Sequence, residues 1–142
     1  MKIYIINGPN INMLGIREPD IYGKENYQTL VNAVEEHCRA RGVECVIYQS
    51  NCEGDIVGKI QEAYFDAADG IVINPAAYTH TSIAILDAVK ATMIPTVEVH
   101  LSKVEEREAY RRISYVREAA KATVTGRGIQ GYLDAIDILI DN

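Results

Sequence analysis

Arg17 and Tyr22 stand five residues apart in Gly15-Ile16-Arg17-Glu18-Pro19-Asp20-Ile21-Tyr22-Gly23, a stretch with neither helical nor strand periodicity. A phenol of pKa about 10 is only about 0.1% ionised at pH 7, and bringing it to neutrality takes roughly 4 kcal/mol. One guanidinium about 4 Å away supplies an energy of that order at an effective dielectric near 20. The pair can therefore make a phenolate base on a lid spanning about residues 15–24. A surface Tyr and Arg is the competing reading. Glu98 and His100 are two apart, so on a regular strand both point to one side. A carboxylate beside an imidazole fixes its tautomer and favours its protonated form, which suits a general acid. A strand-end hydrogen-bonded pair without catalytic duty fits the same spacing.

Other polar residues sit where strands would end. In Asn7-Gly8-Pro9-Asn10-Ile11-Asn12 the glycine and the asparagines tolerate a tight turn, while the Asn10 amide could donate to a developing oxyanion. In Asn74-Pro75-Ala76-Ala77-Tyr78-Thr79-His80-Thr81-Ser82, Asn74 and His80 can each reach a hydroxyl, although a lone His at a helix start is commonly a surface residue. The N–H groups of Leu101 and Ser102, placed before an expected helix, could hold a carboxylate. Arg107 and Arg111, four apart, would share a face of that helix with Arg112 beside them. A solvated charge run is the default for such a cluster; one arginine reaching the site would explain how an acidic chain holds an anion.

The elements that must position these groups alternate along the chain. Strands are expected at Lys2–Asn7, Val43–Tyr48, Gly70–Asn74, Pro95–His100 and Lys121–Thr125. Helices are expected at Tyr27–Arg41, Asp55–Ala68, Thr81–Ala91 (capped by Thr81 or Ser82), Glu105–Arg112 and Gly131–Ile140. The pattern predicts an α/β fold: a flavodoxin-like, doubly wound, five-stranded parallel sheet of order 2-1-3-4-5 with helices on both faces. In such sheets ligands bind beyond the carboxyl ends of the strands, where these loops lie.

The chain has 142 residues, 48% hydrophobic and 24% charged, with net charge −6. This suits one domain over 1–142 and gives no general attraction for nucleic acid or an anionic membrane. No apolar stretch suits a signal peptide or a membrane span. The three cysteines, Cys38, Cys45 and Cys52, lack C-x-x-C spacing and fit a reducing, cytoplasmic setting. His37, His80 and His100 fall on different elements, so no metal set is expected. No P-loop or nucleophile elbow occurs. The one G-x-G-x-x-G, starting at Gly126, follows the last strand rather than the first, the wrong place for a dinucleotide.

Taken together, these segments resemble the type II 3-dehydroquinate dehydratases. The shared motifs are Asn7-Gly8-Pro9-Asn10, Gly15-x-Arg17-x-Pro19-x-x-Tyr22-Gly23, Gln49-Ser50-Asn51-x-Glu53-Gly54, Asn74 to Ser82, Glu98 to Ser102, Arg107-Glu108 with Arg111, and Gly126-x-Gly128-x-x-Gly131-Tyr132. The similarity runs in one order from about residue 3 to 139. It implies cofactor-free anti dehydration of 3-dehydroquinate to 3-dehydroshikimate through an enolate, in the shikimate pathway or in quinate breakdown. It implies Tyr22 as base with Arg17 lowering its pKa, Asn10 orienting a water on the enolate oxygen, and His100 as acid aligned by Glu98. Asn74 would hold the C1 hydroxyl region, the N–H groups of Leu101 and Ser102 the carboxylate, and His80 and Arg111 the ring hydroxyls. It further implies a homo-oligomer, a dodecamer built from trimers, with Asp87 reaching a neighbouring subunit's site. Lys103 and Arg127 depart from the family's common pattern but fall on none of these roles. Two other readings use the same residues: another lyase or isomerase of hydroxy-keto acids, and a flavodoxin-like binding module. Against a flavin carrier, Pro9 removes an N–H donor from the loop where a phosphate would sit.

Overall fold

The computed structural model of the chain describes residues 1–16 and 25–142. Arg17 and Tyr22, and with them most of the expected lid, lie outside the described residues.

Five parallel strands form one sheet in the order β2-β1-β3-β4-β5. They are β1 (Lys2–Asn7), β2 (Glu44–Gln49), β3 (Gly70–Asn74), β4 (Thr96–His100) and β5 (Ala122–Thr125). The helices are α1 (Tyr27–Ala40), α2 (Glu53–Phe65), α3 (Ile83–Thr92) and α4 (Gln130–Ile140). β1 and β3 are apolar on both faces because both faces are covered. Ile3 and Ile5 of β1 pack with Leu30 and Val34 of α1 and with Tyr132 and Ile136 of α4. Tyr4 and Ile6 turn the other way, onto Ile56 and Ile60 of α2 and Ile85 and Val89 of α3. Each fully buried Ile or Leu in these layers contributes about 1.5–3 kcal/mol.

β4 breaks this rule on one face. Val97 and Val99 join the α1/α4 layer, so by alternation Thr96, Glu98 and His100 turn to the opposite side. All five residues of the strand are buried. A carboxylate and an imidazole thus replace the apolar residues that the packing there would favour.

Element ends differ from the sequence expectation for identifiable reasons. β2 starts at Glu44 rather than Val43, because the Val43 N–H closes the end of α1 on the Cys38 carbonyl at 2.8 Å. α2 stops at Phe65 rather than Ala68: Ala67 adopts φ 56° and the Ala68 N–H bonds back to the Ala63 carbonyl at 2.9 Å. A left-handed cap made by alanine instead of glycine carries no sequence signal. α3 begins after Ser82, whose hydroxyl accepts the Ile85 N–H. Its carboxyl-end neighbour Met93 is also left-handed.

One expected element is absent. Glu105–Arg112 is not a helix. The β4–β5 connection consists of three 3-10 turns, Val104–Glu106, Ala109–Arg111 and Val116–Glu118. Arg107 and Arg111 therefore do not share a helical face, and no helix N-terminus follows Leu101 and Ser102. The connection is held by the turn after β3: the Tyr115 N–H donates to the Thr79 carbonyl at 3.1 Å, and His80 Nδ1 lies 2.7 Å from the Ile113 carbonyl.

Candidate functional site

The polar residues of interest collect at the carboxyl ends of β1, β3 and β4. Parallel register puts Asn7 level with Asn74, and Ile73 level with Glu98. The turn after β1 lies hard against the turn after β3. The Gly8 N–H donates to the Asn74 carbonyl at 2.8 Å, and a Cβ on Gly8 would sit 2.4 Å from the Pro75 carbonyl oxygen. Only glycine allows that approach.

Asn10 follows with φ 70°, a left-handed conformation that asparagine tolerates. Its N–H donates to Asn51 Oδ1 at 3.1 Å, while its side chain is at the surface. Asn51 also receives Gln49 Nε2 at 3.1 Å, and its carbonyl accepts the Tyr78 hydroxyl at 2.9 Å. This single asparagine ties together the loops after β1, β2 and β3. Beneath them, the buried Tyr132 hydroxyl donates to Asn7 Oδ1 at 2.6 Å and accepts Asn74 Nδ2 at 2.9 Å. Burial pushes the Tyr132 phenol well above its ordinary pKa, so it stays neutral and serves as a strut.

Glu98 and His100 form the chemical centre of the described residues. His100 Nε2–H donates to Glu98 Oε2, which leaves Nδ1 as the ring nitrogen for a ligand. Among the described residues the fully buried carboxylate has three further partners. Ser114 Oγ donates at 2.8 Å, Thr123 Oγ1 at 3.2 Å, and Arg117 donates Nε to Oε1 at 3.0 Å and Nη2 to Oε2 at 3.3 Å. Burial opposes ionisation of Glu98, but the hydrogen bonds from His100, Arg117 and Ser114 outweigh it and hold the carboxyl down at about 2. A buried carboxylate with this set of donors remains an anion at neutral pH.

The remaining expected residues are placed as follows. Asn74 is buried, with Oδ1 accepting the Ala76 N–H at 3.1 Å and one Nδ2 proton on Tyr132; its second N–H has no hydrogen-bond partner among the described residues. His80 is half-buried, and its Nδ1–H bond to the Ile113 carbonyl makes Nε2 the acceptor. Leu101 and Ser102 use their carbonyls to accept the N–H groups of Gly128 and Gly126, each at 3.1 Å. Neither of their own N–H groups donates to another described residue. Arg111 is half-buried and stacks 5.3 Å from the centre of the Tyr110 ring. Its Nε lies 3.0 Å from Glu108 Oε2 yet is misaligned for a hydrogen bond, so that buried donor stays unsatisfied among the described residues. Asp87 is exposed on α3.

The family model for Dehydroquinase class II matches residues 1–140. The chain belongs to this family. A 3-dehydroquinate dehydratase of Lachnoclostridium phytofermentans is 52% identical over 140 residues, covering 99% of this chain and 97% of that protein. The Clostridium beijerinckii 3-dehydroquinate dehydratase is 49% identical over 139 residues, covering 98% and 95%. The crystal structure of type II dehydroquinase from Butyrivibrio crossotus superposes with a TM-score of 0.95 at 54% identity, covering 99% and 97% of the two chains.

Within this class II dehydroquinase, Lys103 and Arg127 have structural duties. The Lys103 stem packs where a Cβ on Gly126 (φ 73°) would otherwise stand, at 2.3 Å. Arg127 pairs with Asp134 of α4. Sequence reasoning missed Arg117, Ser114, Thr123, Asn51 and the strut role of Tyr132. Thr123 was within reach, because the parallel register sets it opposite Glu98. Arg117 and Ser114 lie in a connection without periodicity, and nothing in their spacing marks them.

Proposed function

We propose that the chain dehydrates 3-dehydroquinate to 3-dehydroshikimate as a step of the shikimate pathway. The observation that carries this reading is the buried Glu98–His100 pair at the carboxyl edge of β4, in a chain whose whole length matches the family. The ketone at C3 already acidifies C2, so the protein must supply a base, an oxyanion donor and an acid.

In this mechanism the Tyr22 phenolate, favoured by Arg17, removes a C2 proton and leaves an enolate whose oxygen is at C3. Asn10 orients a water against that oxygen. His100, its Nε2–H on Glu98, delivers the Nδ1 proton to the departing C1 hydroxyl. The C2–H and C1–O bonds break on opposite faces, a C1–C2 double bond forms, and water leaves. Tyr22 and His100 then return to their starting protonation states by exchange with solvent. The unused N–H groups of Leu101 and Ser102 suit the substrate carboxylate, while the unsatisfied Arg111 Nε and the acceptor Nε2 of His80 suit ring hydroxyls. Asn74 holds the C1 hydroxyl region with its remaining N–H. We further propose assembly into trimers and then a dodecamer, in which the exposed Asp87 meets a neighbour's site. No helix among the described residues is long and apolar enough to cross a membrane, and a cytoplasmic setting belongs to the same reading.

The test is a steady-state assay. Purified, metal-stripped protein should generate the ultraviolet absorbance of a conjugated enone from 3-dehydroquinate. Absence of that absorbance with correctly folded protein would refute the reading.

A further inference from the structure

The Glu98 carboxylate carries more cationic partners than a simple His–Glu pair needs. His100 meets Oε2, while Arg117 meets both oxygens at 3.0 and 3.3 Å. Among the described residues these are the only charged groups bonded to Glu98. Ser114 of the connection and Thr123 of β5 are neutral donors, and β3 presents Ile73 at that level. Nearby titratable groups are engaged elsewhere: His80 on the Ile113 carbonyl, Glu105 on Thr125, and Glu118 with Lys90. The Arg117 side chain is 45% exposed, so it reaches the buried anion from solvent.

We propose that Arg117 is a positioning residue of this reaction: by gripping both oxygens of Glu98 it shares that charge between two cations and keeps the His100 imidazolium able to release its proton. The proposal rests on the reading of His100 as the acid. A buried carboxylate facing an imidazole alone would hold the imidazolium proton tightly, and a tightly held proton makes a weak acid for the departing hydroxyl. A second cation on the same carboxylate weakens that hold. The guanidinium fork also fixes the plane of the carboxylate, and so the direction of the His100 ring. An exposed arginine can do this without leaving an unpaired charge in the interior.

The test is Arg117→Gln, with Arg117→Lys beside it. Because the side chain is nearly half exposed, neither change empties a core position. In Arg117→Gln, kcat should fall about 5–10-fold with KM within about twofold, and the alkaline limb of kcat/KM should move up by about one pH unit, tenfold in proton affinity. The His100 ring signals in an NMR titration of the free protein should move in the same direction. Arg117→Lys, which keeps the charge but not the fork, should recover most of the limb position and less of kcat. A lowered kcat with an unmoved limb and unmoved His100 signals would mean support of the fold only, and would overturn the proposal. So would a limb moving to lower pH. If His100→Ala itself retained turnover, the reading of His100 as acid would fail first and this proposal with it; an inactive His100→Ala beside an unchanged Arg117→Gln would fault the role of Arg117 alone.

Discussion

Tyr22→Phe is expected to lower kcat by at least about 10²–10⁴-fold, the usual range for removing a general base, while KM changes little. The phenyl ring keeps its bulk and loses only the hydroxyl, so ground-state contacts that hold the substrate persist. Steady-state kinetics with 3-dehydroquinate measure both parameters. The effect belongs to kcat because the hydroxyl acts on the proton in flight, an interaction made only in the transition state. Turnover close to that of the unaltered protein would remove Tyr22 from the mechanism.

Glu98→Gln is expected to damage both stability and turnover. A carboxyl held at about 2 against an ordinary 4.5 contributes about 3 kcal/mol. Its folded-state pKa is lowered, so this contribution is complete above pH 4.5 and is lost as pH falls from 4.5 towards about 2. The glutamine variant should therefore melt on the order of 10 °C lower at pH 7 and lose much of the steepness of its acid limb in that window. Arg117 then turns to water, since it is half exposed, whereas His100 stays buried without its counter-ion. The glutamine N–H group can donate to Nε2 and so stabilise the wrong ring tautomer. Loss of the orienting carboxylate should cost kcat about 10³–10⁴-fold, as in other carboxylate–histidine pairs. Thermal melts at pH 3 and pH 7, with kinetics at pH 7, check both parts. A variant as stable as the parent at pH 7 would show that the carboxylate is not the electrostatic hub its contacts describe.

The sheet order was legible because each strand is a short apolar, β-branched run and each long helix has apolar residues at helical spacing. Gly70–Asn74 was expected and is observed with the same bounds. Ser82 is the cap because serine offers an oxygen to a free N–H. The β4–β5 connection was not legible: 3-10 turns leave no 3.6-residue pattern, and the charge spacing of Arg107 and Arg111 imitates a helix face. In the site, Glu98 and His100 were readable because strand alternation alone puts them on one side. Their partners Arg117 and Ser114 were not, because that contact depends on how an irregular segment is tied to the β3–α3 loop through Thr79 and His80. Asn51 and Tyr132 stood in recognised motifs, but only the folded chain gives them work: one ties three loops together, the other props two strand ends.

The most direct test separates the base from the acid. In heavy water, His100→Ala should still exchange the C2 proton of 3-dehydroquinate with solvent above the uncatalysed background, because the Tyr22 base and the enolate remain. The same variant should form the enone at least about 100-fold more slowly than the parent protein. Tyr22→Phe should do neither. Exchange at the parental rate in Tyr22→Phe, or an exchange in His100→Ala lost as completely as water loss, would contradict a phenolate and an imidazolium acting in turn on one bound ring.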